Sequence, residues 1–280
     1  MESHHDLWHG RRVLVTGCTG LIGAAVTREL LDRGAAVAGL VRERRSAAPY
    51  ARDISGGRFH IVHGRVEDAG RLHSSMAIHE VSAVFHLATA DPFGNDRGTT
   101  AILRATALYH PRVPVVVARP AGGLRLASGE SESPVALGVA RFGEVFGPGD
   151  RRAAGIVPRA IAALLRGERP AVESGASRDF LFARDAALAC LRLAEVVGAE
   201  GEPRDCTFRS GWNHTPREMT DLARAAVAGE PLADREPEPP ANPLGWRARS
   251  TLAEALAETV AAARAAALTA AASIPCRKAA

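Results

Sequence analysis

In Gly17-Cys18-Thr19-Gly20-Leu21-Ile22-Gly23, glycine recurs at every third position, directly after the short β-branched run Arg12 to Thr16 (RVLVT). Helical apolar spacing follows within Ala24 to Arg33, at Ala25, Leu30 and Leu31. A strand, a tight turn and a helix in that order leave few folds open. Gly17 permits the turn, Gly20 lets a ligand approach the main chain, and Gly23 lets the helix pack closely on its strand. The start of the helix offers N–H groups without intrahelical partners and a partial positive charge, a combination that suits phosphate.

The rest of the first half repeats this unit. Ala36 to Val41, Phe59 to Val62, Ala83 to Leu87, Val113 to Ala118 and Val135 to Phe142 read as further buried strands, most of them separated by helical stretches. Continuous apolar strands alternating with helices require a parallel sheet covered on both faces. The expected fold class is therefore α/β, a Rossmann-type doubly wound parallel sheet, with residues 1–150 as a dinucleotide-binding domain. Helices near Ile156 to Arg166, Asp185 to Val197 and Pro216 to Ala228, with a strand-like piece at Cys206 to Arg209, then suggest a smaller C-terminal α/β substrate lobe over residues 151–280, interleaved with the first domain. Glu230 to Leu244 reads as a solvated connector and Thr251 to Leu268 as a last helix.

Composition removes several classes. A formal charge of +4 from 35 basic and 31 acidic residues is too mild and too dispersed to indicate nucleic acid. The cysteines Cys18, Cys190, Cys206 and Cys276 lie far apart without a CxxC pair, which argues against a zinc site or a disulfide framework. No metal is expected. Nowhere does an apolar run reach membrane-spanning length, and Met1 to Gly10 has no apolar signal core, so the expected location is cytoplasmic.

At the end of the second strand, where an acid would bind the ribose 2′-hydroxyl of NAD, stand Arg42, Arg44 and Arg45. Arginine there pairs with a 2′-phosphate, so the expected cofactor is NADP in preference to NAD; a solvated charged turn is the competing reading.

With these residues in place, the chain resembles the extended short-chain dehydrogenase/reductase family, specifically its nucleotide-sugar 4-epimerases and 4,6-dehydratases. The resemblance rests on VLVTGCTGLIG (Val13 to Gly23), VFHLA (Val84 to Ala88), NDRGTT (Asn95 to Thr100), RFGEVFGPGD (Arg141 to Asp150), RDFLFARDAA (Arg178 to Ala187) and LGWRARSTLAEAL (Leu244 to Leu256). It implies a dinucleotide held by Thr16, Gly17, Cys18, Thr19, Gly20, Leu21, Ile22 and Gly23, by Arg42, by Arg65 and Val66, and by Leu87 and Ala88. It also implies a nucleotide-sugar pocket in which Arg178 meets the diphosphate and Glu144 faces the sugar. The family's chemistry needs a Tyr with a Lys four residues on, and a Ser or Thr after the fifth strand.

Those residues cannot be assigned here. The two tyrosines, Tyr50 and Tyr109, have Ile54 and Val113 four places later, and the only lysine is Lys278. Arg119-Pro120-Ala121 stands at the Ser or Thr site, and the stretch from Arg119 to Pro134 is too short for the family's long Tyr-Lys helix. Asp91, Arg119 and Glu144 fall after successive strands, at the sheet edge where ligands of open parallel sheets lie. A carboxylate of Asp91 or Glu144 would serve as base and Arg119 would steady negative charge; each also reads as a solvated loop charge. Two functions follow: an NAD(P)-dependent isomerase, lyase or oxidoreductase with an atypical site acting on a nucleotide-sugar or related small molecule, or a catalytically inactive NAD(P)-binding sensor or partner subunit. Loss of the Tyr-Lys helix also predicts a monomer, or a dimer that does not use the family's four-helix bundle, because a two-fold interface needs the same patch on both subunits.

Overall fold

The computed structural model describes residues 6–42, 56–88, 97–122, 134–152, 155–232, 240 and 242–272. The chain forms two compact units, each discontinuous in sequence: residues 1–143, 184–208 and 241–247, and residues 144–183, 209–240 and 248–280. The crossings fall at 143, 183, 208, 240 and 247.

The first unit holds β1 (Arg12–Thr16), α1 (Leu21–Asp32), β2 (Ala36–Val41), β3 (Phe59–His63), α2 (Ala69–Ile78), β4 (Ala83–His86), α3 (Arg97–Tyr109), β5 (Val115–Pro120), β6 (Leu137–Phe142), most of α5 (Ala183–Glu200) and β9 (Arg204–Phe208). Its seven strands run in the order β3-β2-β1-β4-β5-β6-β9, all parallel. This is a Rossmann-type α/β sheet, and the order reverses between β1 and β4. Every strand next to that reversal is buried on both faces, which explains why β1, β2 and β4 read as unbroken apolar runs.

One face of the sheet is closed by α2 and α3. Leu14, Val84, Val115, Val117, Leu137 and Val139 form a single core there with Leu72 and Met76 of α2 and Ile102 and Ala105 of α3. Gly138, alternating with these residues, faces the opposite way onto Leu193 of α5, where a Cβ would come within 2.7 Å of the leucine side chain. The polar N-terminal stretch also contributes to the core. Trp8 is buried, donates from Nε1 to Glu195 at 3.0 Å and packs against Phe85 with ring centres 5.7 Å apart.

The second unit holds β7 (Glu144–Phe146), α4 (Ile156–Leu165), β8 (Arg178–Phe182), β10 (Asn213–His214), α6 (Pro216–Ala228) and α7 (Leu252–Ala272). Its three strands run in the order β10-β8-β7, antiparallel then parallel. Phe146, Phe180, Phe182 and Trp212 pack with Ile161, Met219 and Leu256 of the three helices. Helix α6 has complete end signals. Thr215 and Glu218 form a reciprocal capping box, Pro216 opens the first turn, and Gly229 closes the helix at φ 74°. No described helix is long and apolar enough to cross a membrane.

Candidate functional site

The turn after β1 is assembled from backbone-to-backbone contacts that exclude side chains. Gly17 has φ +70°, and a Cβ on it would lie 2.6 Å from Ala88 N and 2.6 Å from Leu87 C, so the turn rests directly on the chain leaving β4. The end of β4 is tied to β1 by Leu87 N donating to Thr16 O at 3.1 Å and by a 2.7 Å hydrogen bond between Thr16 Oγ1 and His86 Nδ1. Gly23 closes the loop from the other side, since a Cβ there would lie 2.0 Å from Gly17 O. Gly20 N donates to Gly17 O at 2.9 Å, and the first helical bond of α1 runs from Ala24 N to Gly20 O at 2.8 Å.

This arrangement separates scaffold from contact surface. Thr16, Cys18 and Gly23 are buried, whereas Thr19 and Gly20 are exposed and Gly17, Leu21 and Ile22 half-buried. Cys18, expected among the cofactor contacts, lies beneath the loop with its Sγ 3.8 Å from Leu40 O, and burial pushes its thiol up to about 11. It packs the turn onto β2. The N-cap of α1 is Gly20, which offers no side chain, and the first turn holds no acid. The N–H groups of Leu21, Ile22 and Gly23 thus precede the first helical bond with no side-chain cap. At Gly20 a Cβ would meet Gly17 O at 3.3 Å, a tight contact, and no other atom within 4 Å, and the residue itself is exposed. An open cradle rimmed by N–H donors fits a dinucleotide pyrophosphate.

Arg42 follows β2 and is exposed, with no ion pair to another described residue. Arg65 follows β3, also exposed, 3.5 Å from Glu67, while Val66 packs against the core beside α2. Both arginines therefore leave the carboxyl ends of the strands on the β2–β3 side of the reversal. On the other side, Arg119 lies half-buried near the end of β5, in register with Arg141 on β6. Arg141 is buried and held by both carboxylate oxygens of Asp205, at 2.6 and 2.9 Å. Sequence reasoning missed this pair, because β9 carries no motif that marks Asp205.

In the second unit, Glu144 opens β7 in register with Phe180, and Arg178 stands two residues earlier on β8, on the same face as that partner. Arg152 lies 3.6 Å from Glu144, forks onto both oxygens of Asp150 at 2.9 and 2.7 Å, and donates to Val145 O. Arg178 is exposed. Asp179 beside it is buried and accepts from Ser210 N at 3.2 Å and Gly211 N at 2.8 Å; burial raises its carboxyl above the usual range despite those bonds. Asp91 lies outside the described residues. Among the described residues no group of three or more His, Cys, Asp or Glu side chains could hold a metal ion.

The position of Tyr109 bears directly on the chemistry. It ends α3, a helix that starts beyond the carboxyl end of β4 and delivers the chain to the beginning of β5. A helix of 13 residues spans about 20 Å. Tyr109 therefore stands at the opposite edge of the sheet from the glycine turn, with its ring edge-on to His73 at 6.4 Å.

The model of the NAD dependent epimerase/dehydratase family matches residues 13–113 and 126–206. The chain belongs to this family. Among solved structures, the UDP-glucose 4-epimerase of Thermotoga maritima with UDP-glucose is 18% identical, with a TM-score of 0.70 over 91% of this chain and 99% of that one. The Bordetella bronchiseptica enzyme WbmH in complex with NAD+ is 21% identical, with a TM-score of 0.68 over 91% and 99%. The UDP-glucose-4-epimerase of Stenotrophomonas maltophila with bound NAD and formylated UDP-arabinopyranose is 18% identical, with a TM-score of 0.72 over 92% and 99%. At these identities the likeness is one of fold. No curated protein sequence matches the chain. The two matched segments of the family model leave out residues 114–125, the stretch that contains β5 and Arg119.

Proposed function

We propose that the chain binds NADP or NAD on the Gly17–Gly23 turn, NADP being preferred, and acts on a nucleotide-sugar or related small molecule through a site that does not use a Tyr-Lys pair. The observation that carries this reading is the interlocked turn. Gly17 and Gly23 are packed too closely for any side chain, while Gly20 is exposed at the N-terminus of a helix whose first N–H groups have no side-chain cap.

When bound, the cofactor would supply a hydride acceptor or donor. The chain's own residues do the rest. The exposed Thr19 and Gly20, with the first turn of α1, hold the pyrophosphate, and the Arg42 fork meets a 2′-phosphate. Leu87 and Ala88 form the floor of the turn. In the second unit, proposed as the substrate lobe, Arg178 binds the diphosphate of the substrate with its planar donors. Asp91 or Glu144 takes a proton, and Arg119, which cannot give one up, steadies negative charge. The proposed location is cytoplasmic. The proposed assembly is a monomer, or a dimer that avoids the family bundle, checked by solution mass from light scattering.

A specific observation favours a second reading, in which the chain is a catalytically inactive sensor or partner subunit. Only two tyrosines exist, one of them, Tyr109, at the far edge of the sheet, and the single lysine is Lys278. The test is to add NAD+ or NADP+ with a panel of nucleotide-sugars, following nicotinamide absorbance and products. Turnover lost in Asp91→Ala or Glu144→Ala supports the enzyme as assigned. Turnover unchanged in both rejects these residues, and cofactor binding without turnover supports the second reading.

A further inference from the structure

Within the second unit, the end of α4 and the chain that follows it face one side of α6 across a cleft of about 740 Å³. Arg217, Asp221 and Arg224 line it from α6, and their four- and three-residue steps put them on one side of that helix. Arg169 comes from the facing wall. Leu164, Pro170 and Val172 on that wall supply apolar surface, and Val172 is 38% exposed, a side chain left with area to cover.

The acids at this cleft, and those next to it in sequence, are already engaged. Asp221 accepts from Arg224 at 2.6 Å, and Glu168 accepts from two nitrogens of Arg166 at 2.9 and 2.6 Å. Glu173 lies 2.6 Å from Arg159, and Glu218 completes the capping box with Thr215. Arg169 and Arg217 are exposed and have no hydrogen bond or ion pair with another described residue. The two walls of the cleft therefore each present a guanidinium whose donors are open. Planar forks of this kind match the oxygens of a phosphoryl group, and the volume is that of a small-molecule site. Neither Arg178 nor Glu144 lines the cleft, so it is separate from the residues proposed above for the substrate.

We propose that this cleft is a further binding site, for a small phosphate monoester. Arg169 and Arg217 clasp the phosphoryl group, and Leu164, Pro170 and Val172 receive the organic part.

Calorimetric titration with phenyl phosphate tests this, with inorganic phosphate as the comparison. The glycine turn and Arg178 are proposed to take phosphate as well, so the titration is made on the Gly20→Val/Arg178→Gln protein, which leaves the cleft intact. That protein takes up one phenyl phosphate per chain. Adding Arg169→Gln and Arg217→Gln weakens the uptake by at least about tenfold, the scale of a lost charge-assisted contact, whereas lysine at both positions retains part of it. Inorganic phosphate binds more weakly than phenyl phosphate, since it leaves the apolar surface uncovered. No saturable uptake of phenyl phosphate overturns the inference, as does uptake undiminished in the folded protein lacking both arginines; equal affinity for the two probes overturns the assignment of the organic part. Where the combined variants do not melt cooperatively, Arg169→Gln/Arg217→Gln is compared with the wild type, and must bind one phenyl phosphate fewer per chain; equal stoichiometry and affinity overturn the inference. No cofactor is present in these titrations, so their failure is distinct from a failure of the dinucleotide reading.

Discussion

Gly17→Ala and Gly20→Val separate what the glycine turn does for folding from what it does for binding. Gly17 sits at φ +70°, a region costing an L-residue about 1–2 kcal/mol. Its new Cβ would also stand 2.6 Å from Leu87 and Ala88 backbone, far inside an ordinary contact, and relieving such overpacking costs about 1–3 kcal/mol. The total is about 2–5 kcal/mol, which at roughly 2–4 °C per kcal/mol lowers Tm by about 4–20 °C. Gly20 differs in both respects. Its φ of −83° and ψ of 171° suit any residue, and a Cβ meets one atom within 4 Å, Gly17 O at 3.3 Å, a tight contact that a shift of a few tenths of an ångström relieves. Valine there forfeits about 1 kcal/mol of N-cap preference and strains the Gly17 O contact by a few tenths of an ångström, so Tm falls less than in Gly17→Ala. Its branched side chain nevertheless fills the space over the helix N–H groups. Losing two charge-assisted bonds of about 1.5–3 kcal/mol each weakens dinucleotide binding by at least a hundredfold. Thermal melting and calorimetry on both variants decide the matter. Wild-type affinity in Gly20→Val, or a wild-type melting point in Gly17→Ala, would refute the reasoning.

Arg42→Ala should weaken NADP by about 1–3 kcal/mol and leave NAD nearly unchanged, measured by parallel titrations; equal losses would remove the NADP preference. Asp205→Asn leaves the buried Arg141 guanidinium without its carboxylate. Breaking a buried pair costs about 3–5 kcal/mol, and since the Asp205 side chain is 26% exposed the lower end applies; an unaltered urea midpoint would contradict it. Asp179 is raised by burial, so its neutral form is favoured in the folded protein and its stabilising share, present at low pH, is lost as pH climbs from 3.8 through the higher folded value. The stability of wild type minus that of Asp179→Asn should therefore fall with pH in that window and then level; a rise would mean that the Ser210 and Gly211 bonds outweigh burial. Tyr109→Phe should leave any turnover within a few-fold, against the hundredfold or more of a lost acid-base group.

The most regular parts of this fold were the most legible. β1, β2 and α6 coincide with their sequence readings because buried parallel strands are continuously apolar and Thr215, Glu218 and Gly229 punctuate α6 fully. Helix α1 begins at Leu21, three residues before the apolar spacing suggests, since its cap is a glycine that reads as part of the turn. Helix α2 has only Leu72, Ser75 and Met76 buried, too thin a stripe to stand out, although Asp68 accepting from Arg71 N was a usable start signal. β5 runs Val115–Pro120 in place of Val113 to Ala118, shifted because Val113 closes a turn onto His110 and Pro120 needs no N–H at the last position. Of the site, the glycine turn followed from spacing alone. That the side chains of Cys18 and Thr16 are buried did not, since spacing does not reveal which side of a loop a residue faces. The Arg141–Asp205 pair joins positions 64 apart that only strand order brings together.

The central claim is that this chain holds a nicotinamide dinucleotide on the Gly17–Gly23 turn. Isothermal titration of the purified wild-type protein with NADP+ and then NAD+ tests it most directly. Saturable binding of one dinucleotide per chain, tighter for NADP+ and abolished in Gly20→Val, is the result expected. A folded protein that takes up neither cofactor would contradict the claim.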